Sequence, residues 1–325
     1  MSKLLRILSA IALVLAVLPA GVSAQSYPSQ TISLVVPYSP GNGLDLLARE
    51  FADILHGALA TPVVVENRAG AAGVIGTAGV ARARADGHTL LFTAHPPFAT
   101  APFVVDQKPY DPLTGFLPIA RVGTVPMVLV TASSQPFKTF ADMAKHIRAN
   151  PDKATYASSG NGSPGHLYAE QMNQATGLKM EQVPYKETGQ GLIDVMAGRV
   201  LVGLASVPAA TPLILSGDLR ALAIGSGARL ADFPDVPTMA EAIGNKDFRA
   251  GDWYAFFAPA GMTPDRLERL YPEIIKAANS ERMIKFMARS NIVLDLQDPA
   301  TFAKSLAADV KAAEALVGSA GLKNR

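Results

Sequence analysis

Short runs of β-branched and aliphatic residues alternate along this chain with stretches whose apolar positions recur every three or four residues. The runs 32–36, 63–66, 89–93, 127–131, 154–158, 181–184, 200–205 and 219–224 read as strands. The periodic stretches near 44–58, 74–83, 138–149, 165–176, 188–198 and 208–216 read as helices. A further apolar run, 253–258, precedes helices near 264–278, 281–289 and 298–316. This βαβα order predicts an α/β protein with mainly parallel sheets. Proline-rich transitions at 102–126 and from Phe233 to Trp253 predict two crossings between domains. Residues 124–251 then form one domain, and 25–123 with 252–325 the other, with a hinge and a ligand cleft between them.

The N-terminus reads as an address. Lys3 and Arg6 precede an apolar stretch, Ile7 to Leu18, too short to span a bilayer comfortably. Val22-Ser-Ala24 fits a small-residue cleavage signal, which puts the cut between Ala24 and Gln25 and makes residues 1–24 a signal peptide. The cut removes two of the 29 basic residues and none of the 27 acidic ones, leaving a nearly neutral product. That balance gives no basic face for nucleic acid. Cysteine is absent, so there is no disulfide framework, no thiol nucleophile and no lipid-bearing Cys. An exported, soluble protein is expected.

In open α/β sheets, ligands sit at the C-terminal ends of strands. The first such loop, Tyr38-Ser39-Pro-Gly41-Asn42-Gly43-Leu-Asp45, is glycine-rich and opens a helix. Its backbone N–H groups and the helix dipole suit a carboxylate or phosphate, although an ordinary strand-to-helix turn with an acid near the helix start looks the same. Residues 67–76 form a second glycine-rich loop, and Ala94 and His95 lie in a third. In the central segment, Ser158-Ser159-Gly160-Asn161-Gly162-Ser163 leads through Pro164 to His166 and is the loop richest in donors. The loops containing Tyr185 and Ala205-Ser206 follow.

Other chemistries find little support. Gly160 to Gly165 matches G-x-G-x-x-G, with Glu187 near the place of a ribose-binding acid, but Pro164 is unusual in that turn and an exported protein meets little NAD. No G-x-S-x-G occurs. Ser163 and His166, three residues apart at a helix start, have the spacing of a cap more than of a catalytic pair. His56, His88, His95, His146 and His166 lack metal-ligand spacing. No catalytic residue, metal or cofactor is assigned. Trp253 and Tyr254 open an apolar run and read as core.

Motifs in order along the chain resemble the Bug-type substrate-binding proteins of tripartite tricarboxylate transporter systems. They include Pro40-Gly-Asn-Gly-Leu-Asp45, Pro62-Val-Val-Val-Glu-Asn-Arg68, Asp86-Gly-His-Thr-Leu-Leu91, Tyr156 to Ser163, Val183-Pro-Tyr-Lys186, Asp235-Val-Pro-Thr-Met239 and Ala258-Pro-Ala-Gly261. The resemblance runs from about Tyr27 to Lys323. It implies a type II periplasmic-binding-protein fold, two α/β domains closing on a small organic carboxylate, with no catalysis. It also implies a monomer in the periplasm, not a lipoprotein, handing its ligand to integral-membrane transporter subunits or a membrane sensor. The 158–163 loop would hold one carboxylate, and the 38–45 loop would meet the other end, partly through water.

Three departures stand out. Asn42 replaces a usual Gly and would add a side-chain amide to the pocket rim. Leu201 replaces a usual acid, and Leu204-Ala205 replaces Phe-Asp. The missing acids lean the expected ligand away from amino acids and towards a less polar carboxylate, aromatic acids included. The alternatives are a secreted hydrolase using Ser163 or His166, and an orphan receptor that senses its ligand for a signalling system.

Overall fold

The computed structural model describes residues 27–99, 109–160, 163–185, 187–246, 248 and 250–319. Ten strands and eleven α-helices are described, and two sheets meet in one long strand. In the first sheet, β1 (Ile32–Val36) lies between β2 (Val63–Asn67) and β3 (Thr89–Ala94), all parallel. β9 (Gly251–Pro259) then pairs antiparallel with β3. In the second sheet, β5 (Thr155–Ser158) lies parallel to β6 (Glu181–Pro184) and β7 (Val202–Ser206). β4 (Phe116–Ala132) belongs to both. Its first part pairs with β9 and with β10 (Val293–Gln297), and its last six residues with β7 and β8 (Leu219–Ile224).

The sheets are therefore mixed: four pairings are parallel and five antiparallel. This corrects the expectation of mainly parallel sheets. The βαβ units do give parallel pairs, but β9 and β10 run against the other strands of the first sheet, and β4 runs against those of the second. β4 also begins eleven residues before the run at Met127 that marks it in the sequence. Prolines obscure that first half. The strand accommodates Pro118 at a register shift, and Pro126 stands at the crossing opposite Gly251.

Helices cover both faces of each sheet. α1 (Gly43–Leu59) puts Leu44, Leu47, Ala48, Phe51 and Leu55 into a core shared with β1, β3 and β9. α9 (Pro264–Ala278) and α10 (Glu281–Arg289) pack on the same core. The opposite face is closed by α2 (Val74–Ala81), the short α3 (Pro96–Ala99) and α11 (Pro299–Ser319). In the second sheet, α4 (Phe140–Ala149), α5 (Pro164–Thr176) and α8 (Met239–Ile243) cover one face; α6 (Thr188–Met196) and α7 (Val207–Leu215) cover the other. No helix among the described residues is long and apolar enough to cross a membrane.

Three segments lock together where the sheets meet. Met127 N–H donates to the Ala250 carbonyl (2.9 Å), Gly225 N–H to the Met127 carbonyl (2.8 Å), and Ala250 N–H to the Gly225 carbonyl (3.1 Å). Gly225 is required by space: a Cβ there would stand 1.9 Å from the Ala250 carbonyl oxygen. Gly225→Ala must push the return segment away from β4, and a loss of about 2 kcal/mol or more is expected in urea unfolding. Gly57→Ala, in α1 with open space around the new methyl, should instead gain about 0.5–1 kcal/mol in the same assay.

Candidate functional site

The loop after β1 is held by its own side chains. Asn42 caps α1, accepting from Asp45 N–H (2.9 Å), while its amide donates to the Ser39 carbonyl (2.8 Å). Both ends of the Asn42 amide are thus engaged within the loop, not offered to a pocket rim. Asp45 is buried, and its Oδ2 accepts from Gly41 N–H (2.8 Å) and Arg49 Nε (3.0 Å). Its Oδ1 accepts from Asn67 Nδ2 (2.8 Å), which also reaches the Tyr38 carbonyl (3.1 Å). Burial alone would raise the Asp45 pKa, but the donors Arg49, Gly41 and Asn67 hold it below the usual value. Gly41 takes φ +84°, which lets the chain turn back onto that carboxylate. Asp45 therefore shapes the loop: it is buried and both its oxygens are engaged there. Ser39, Gly41 and Gly43 are exposed.

The loop after β5 is built similarly. Ser158 is buried and its hydroxyl accepts from Gln182 Nε2 (2.7 Å). Gly160 makes the turn at φ +97°, and Ser163 caps α5 by accepting from His166 N–H (3.3 Å). That is the geometry of a cap, and Pro164 follows at the first helical position. His166 is buried beside Tyr156, and burial lowers its pKa. Tyr185 turns its hydroxyl away to donate to Asp194 Oδ2 (2.6 Å). Ser159 is exposed and Ser206, half-buried at the start of α7, makes no side-chain cap. Ala205 is buried among Val207, Ala210 and Leu192. Asn161 and Gly162, like Ala24 and Gln25, lie outside the described residues.

Both loops stand at the C-terminal ends of parallel strands, one per sheet, and each opens a helix whose first amide groups have no partner within the helix. Serine hydroxyls and helix-start amides in this arrangement suit an anion.

A large groove of about 1250 Å³ lies elsewhere between the two sheets. Helices α5 and α11, β10 and residues 225–230 line it, and of the sequence-predicted residues only His95 reaches it. His95 is buried between Tyr168 (ring centres 6.4 Å apart) and the edge of Trp253 (5.6 Å), and burial lowers its pKa. Several polar groups here are matched to one another, although Arg121 Nε is closed off without a partner. Arg121 pairs with Asp295, Trp253 Nε1 donates to Asp309 (3.0 Å), and Tyr168 donates to the Gly251 carbonyl (2.8 Å). Size favours this groove; the helix starts at the strand ends favour the loops.

One residue at the loop end of the first sheet escaped the sequence reading. Asp252 lies on β9 opposite Val125, two residues beyond the Ala94–Tyr254 pair. The residue keeps some exposed surface, yet its Oδ1 is closed off from solvent without a hydrogen-bond partner. Burial pushes its carboxyl up to about 7. The Tyr38 hydroxyl is closed off and unpartnered too. Thr93 is near enough to act on it but not at hydrogen-bond geometry. The available signal was a single acid at the mouth of an otherwise apolar strand, Gly251–Pro259.

The sequence pattern of the family described as "Tripartite tricarboxylate transporter family receptor" matches residues 47–322. Protein BugT of Bordetella pertussis is 38% identical over 289 residues, 89% of this chain and 88% of its own. A TctC solute binding protein from Polaromonas superposes with a TM-score of 0.83 at 26% identity, covering 90% of this chain and all (100%) of the other. An R. palustris protein solved with adipate gives 0.71 at 29%, covering 91% and 98%.

The Asp45 network predicts a signed pH effect. Because the folded-state pKa is depressed, the stabilisation is present above the unfolded pKa and is lost as pH falls through the folded one. Asp45→Asn should cost about 1–3 kcal/mol at neutral pH. The melting-temperature gap to the wild type should narrow as the pH falls from about 5 to about 3.

Proposed function

The chain belongs to the tripartite tricarboxylate transporter receptor family, and from that premise we propose that it is a periplasmic receptor that binds a small organic carboxylate and delivers it to a membrane transporter. The observation that carries this reading is the pair of loops, 38–45 and 158–163. They end strands of two different sheets, and each presents helix-start amides. One carboxylate group is held by the 158–163 loop, with the free hydroxyl of Ser159 as a direct donor. The 38–45 loop covers the far end of the ligand. Ala94 and Ser206 complete the walls. The adipate in the R. palustris relative is a carboxylate of the same class.

Closure turns about the crossing, where β4 passes from Val125 to Met127 and β9 begins at Gly251. It moves residues 124–251 against residues 25–123 and 252–325, and it expels water from the hydrogen bonds to the ligand. The protein acts as a monomer and catalyses nothing. Residues 1–24 direct export and are removed after Ala24.

Native mass spectrometry of protein taken from a periplasmic extract tests this directly. A small carboxylate released intact on denaturation is expected. The purified protein should show a thermal shift with that acid, growing with its concentration, and no turnover. Ser159→Ala should weaken binding about ten-fold by calorimetry, the value of one hydrogen bond to a charged group. A nucleotide or a hydrolysed ester in place of the intact acid would overturn the reading.

A further inference from the structure

The side chains of Asn42, Asp45 and Asn67 are matched within and beside the first loop, but two buried polar atoms, one at the start of that loop and one on β9, are not. Asn42, Asp45, Arg49 and Asn67 form a closed set. The Tyr38 hydroxyl and Asp252 Oδ1 stay outside it, without partners. A buried polar atom without a hydrogen bond costs free energy, and each such atom in a native fold calls for a physical reason.

Their positions supply one. Tyr38 begins the ligand loop. Its ring stands beside Gly73 and Pro97: a Cβ added at Gly73 would come within 3.2 Å of the hydroxyl and 2.7 Å of the proline. Asp252 sits on the strand that crosses between the sheets, on the face of β9 that carries Tyr254 and Phe256. Tyr38 and Tyr254 pack against the same core, Tyr168 donates to the carbonyl of Gly251 next to Asp252 (2.8 Å), and the Asp252 charge acts on all three. Burial is the influence on the Asp252 carboxyl, and no cation among the described residues offsets it.

We propose, on the basis of the receptor reading above, that Asp252 and Tyr38 read a hydroxyl group on the carboxylate ligand, so that the protein prefers a hydroxy acid to the same acid without the hydroxyl. A hydroxyl can accept from the Tyr38 phenol and donate to Asp252, matching both open groups at once. It also tolerates either state of the acid, since burial leaves Asp252 near half protonation at neutral pH. A second carboxylate on the ligand would need Asp252 protonated, and an ammonium would need it ionised. The neutral hydroxyl is the group that fits both.

Calorimetry on the purified wild type, Asp252→Asn and Tyr38→Phe tests this with four matched triads. These are succinate, malate and aspartate; glutarate, 2-hydroxyglutarate and glutamate; adipate, 2-hydroxyadipate and 2-aminoadipate; phenylacetate, mandelate and phenylglycine. In the triad that binds, the hydroxy member should be about ten- to a hundred-fold tighter than its parent on the wild type. Both variants should bring hydroxy and parent acids to within about two-fold of each other. Circular dichroism melts check folding, and the wild-type comparison stands without either variant. Equal binding of hydroxy and parent acids would overturn the inference and leave the carboxylate receptor intact. So would a tightest amino member, which assigns Asp252 to an ammonium. A hydroxyl preference that both variants retain would reduce the pair to a structural site holding water. No binding from any member would remove the receptor reading, and this inference with it.

Discussion

The arrangement depends on a backbone contact between three segments, at Met127, Gly225 and Ala250. β4 runs through both sheets, and the chain returns to the first one at Gly251. Between those points, residues 225 and 250 bond to each other and to β4, so the two passages are held side by side. Such a junction leaves few backbone torsions free to change. Any relative motion of the sheets is therefore a bend of two adjacent strands. The close approach permits no side chain at 225, and the antiparallel geometry follows from the chain having to pass up one strand and down its neighbour.

How much of this was legible varies with the physics of each element. β1 carries the pattern over its whole length, because a central strand buried on both faces reads as a continuous apolar run. The start and end of α9 and α10 were readable from Thr263-Pro264 and Ser280, which mark helix starts. The first half of β4 was not, since its prolines look like a linker until a partner strand is seen to accept them. β10 was missed for a different reason. It is short and half-exposed at the edge of the sheet, and alternation over five residues is a weak signal. The short α8 escaped too, although its capping box at Thr238 and Glu241 is a recognisable start.

The site shows the same division. Glycine-rich loops after strands were visible from composition and order. The use each side chain is put to was not. Asp45 and Asn42 look like ligand groups in the sequence, yet they satisfy each other and their own loop. Tyr185 looks like a pocket residue and instead meets Asp194 nine positions on. Hydrogen-bond matching is a property of three-dimensional neighbours, so a list of donors in sequence overstates what is available to a ligand.

That accounting changes the significance of the residues in which this chain departs from the proteins it resembles. The resemblance leads one to expect an acid where Ala205 stands, and here the methyl group packs into the core of the second sheet with Val207 and Ala210. Read alone, the loss makes the cleft less polar. Asp252 alters the balance, because a carboxyl stands at the mouth of β9, in the first sheet's half of the molecule. Under the proposal above, a ligand hydroxyl would meet Asp252 beside Tyr38, at the start of the strand by which the chain returns to the first sheet, and recognition and closure would then act on the same few residues.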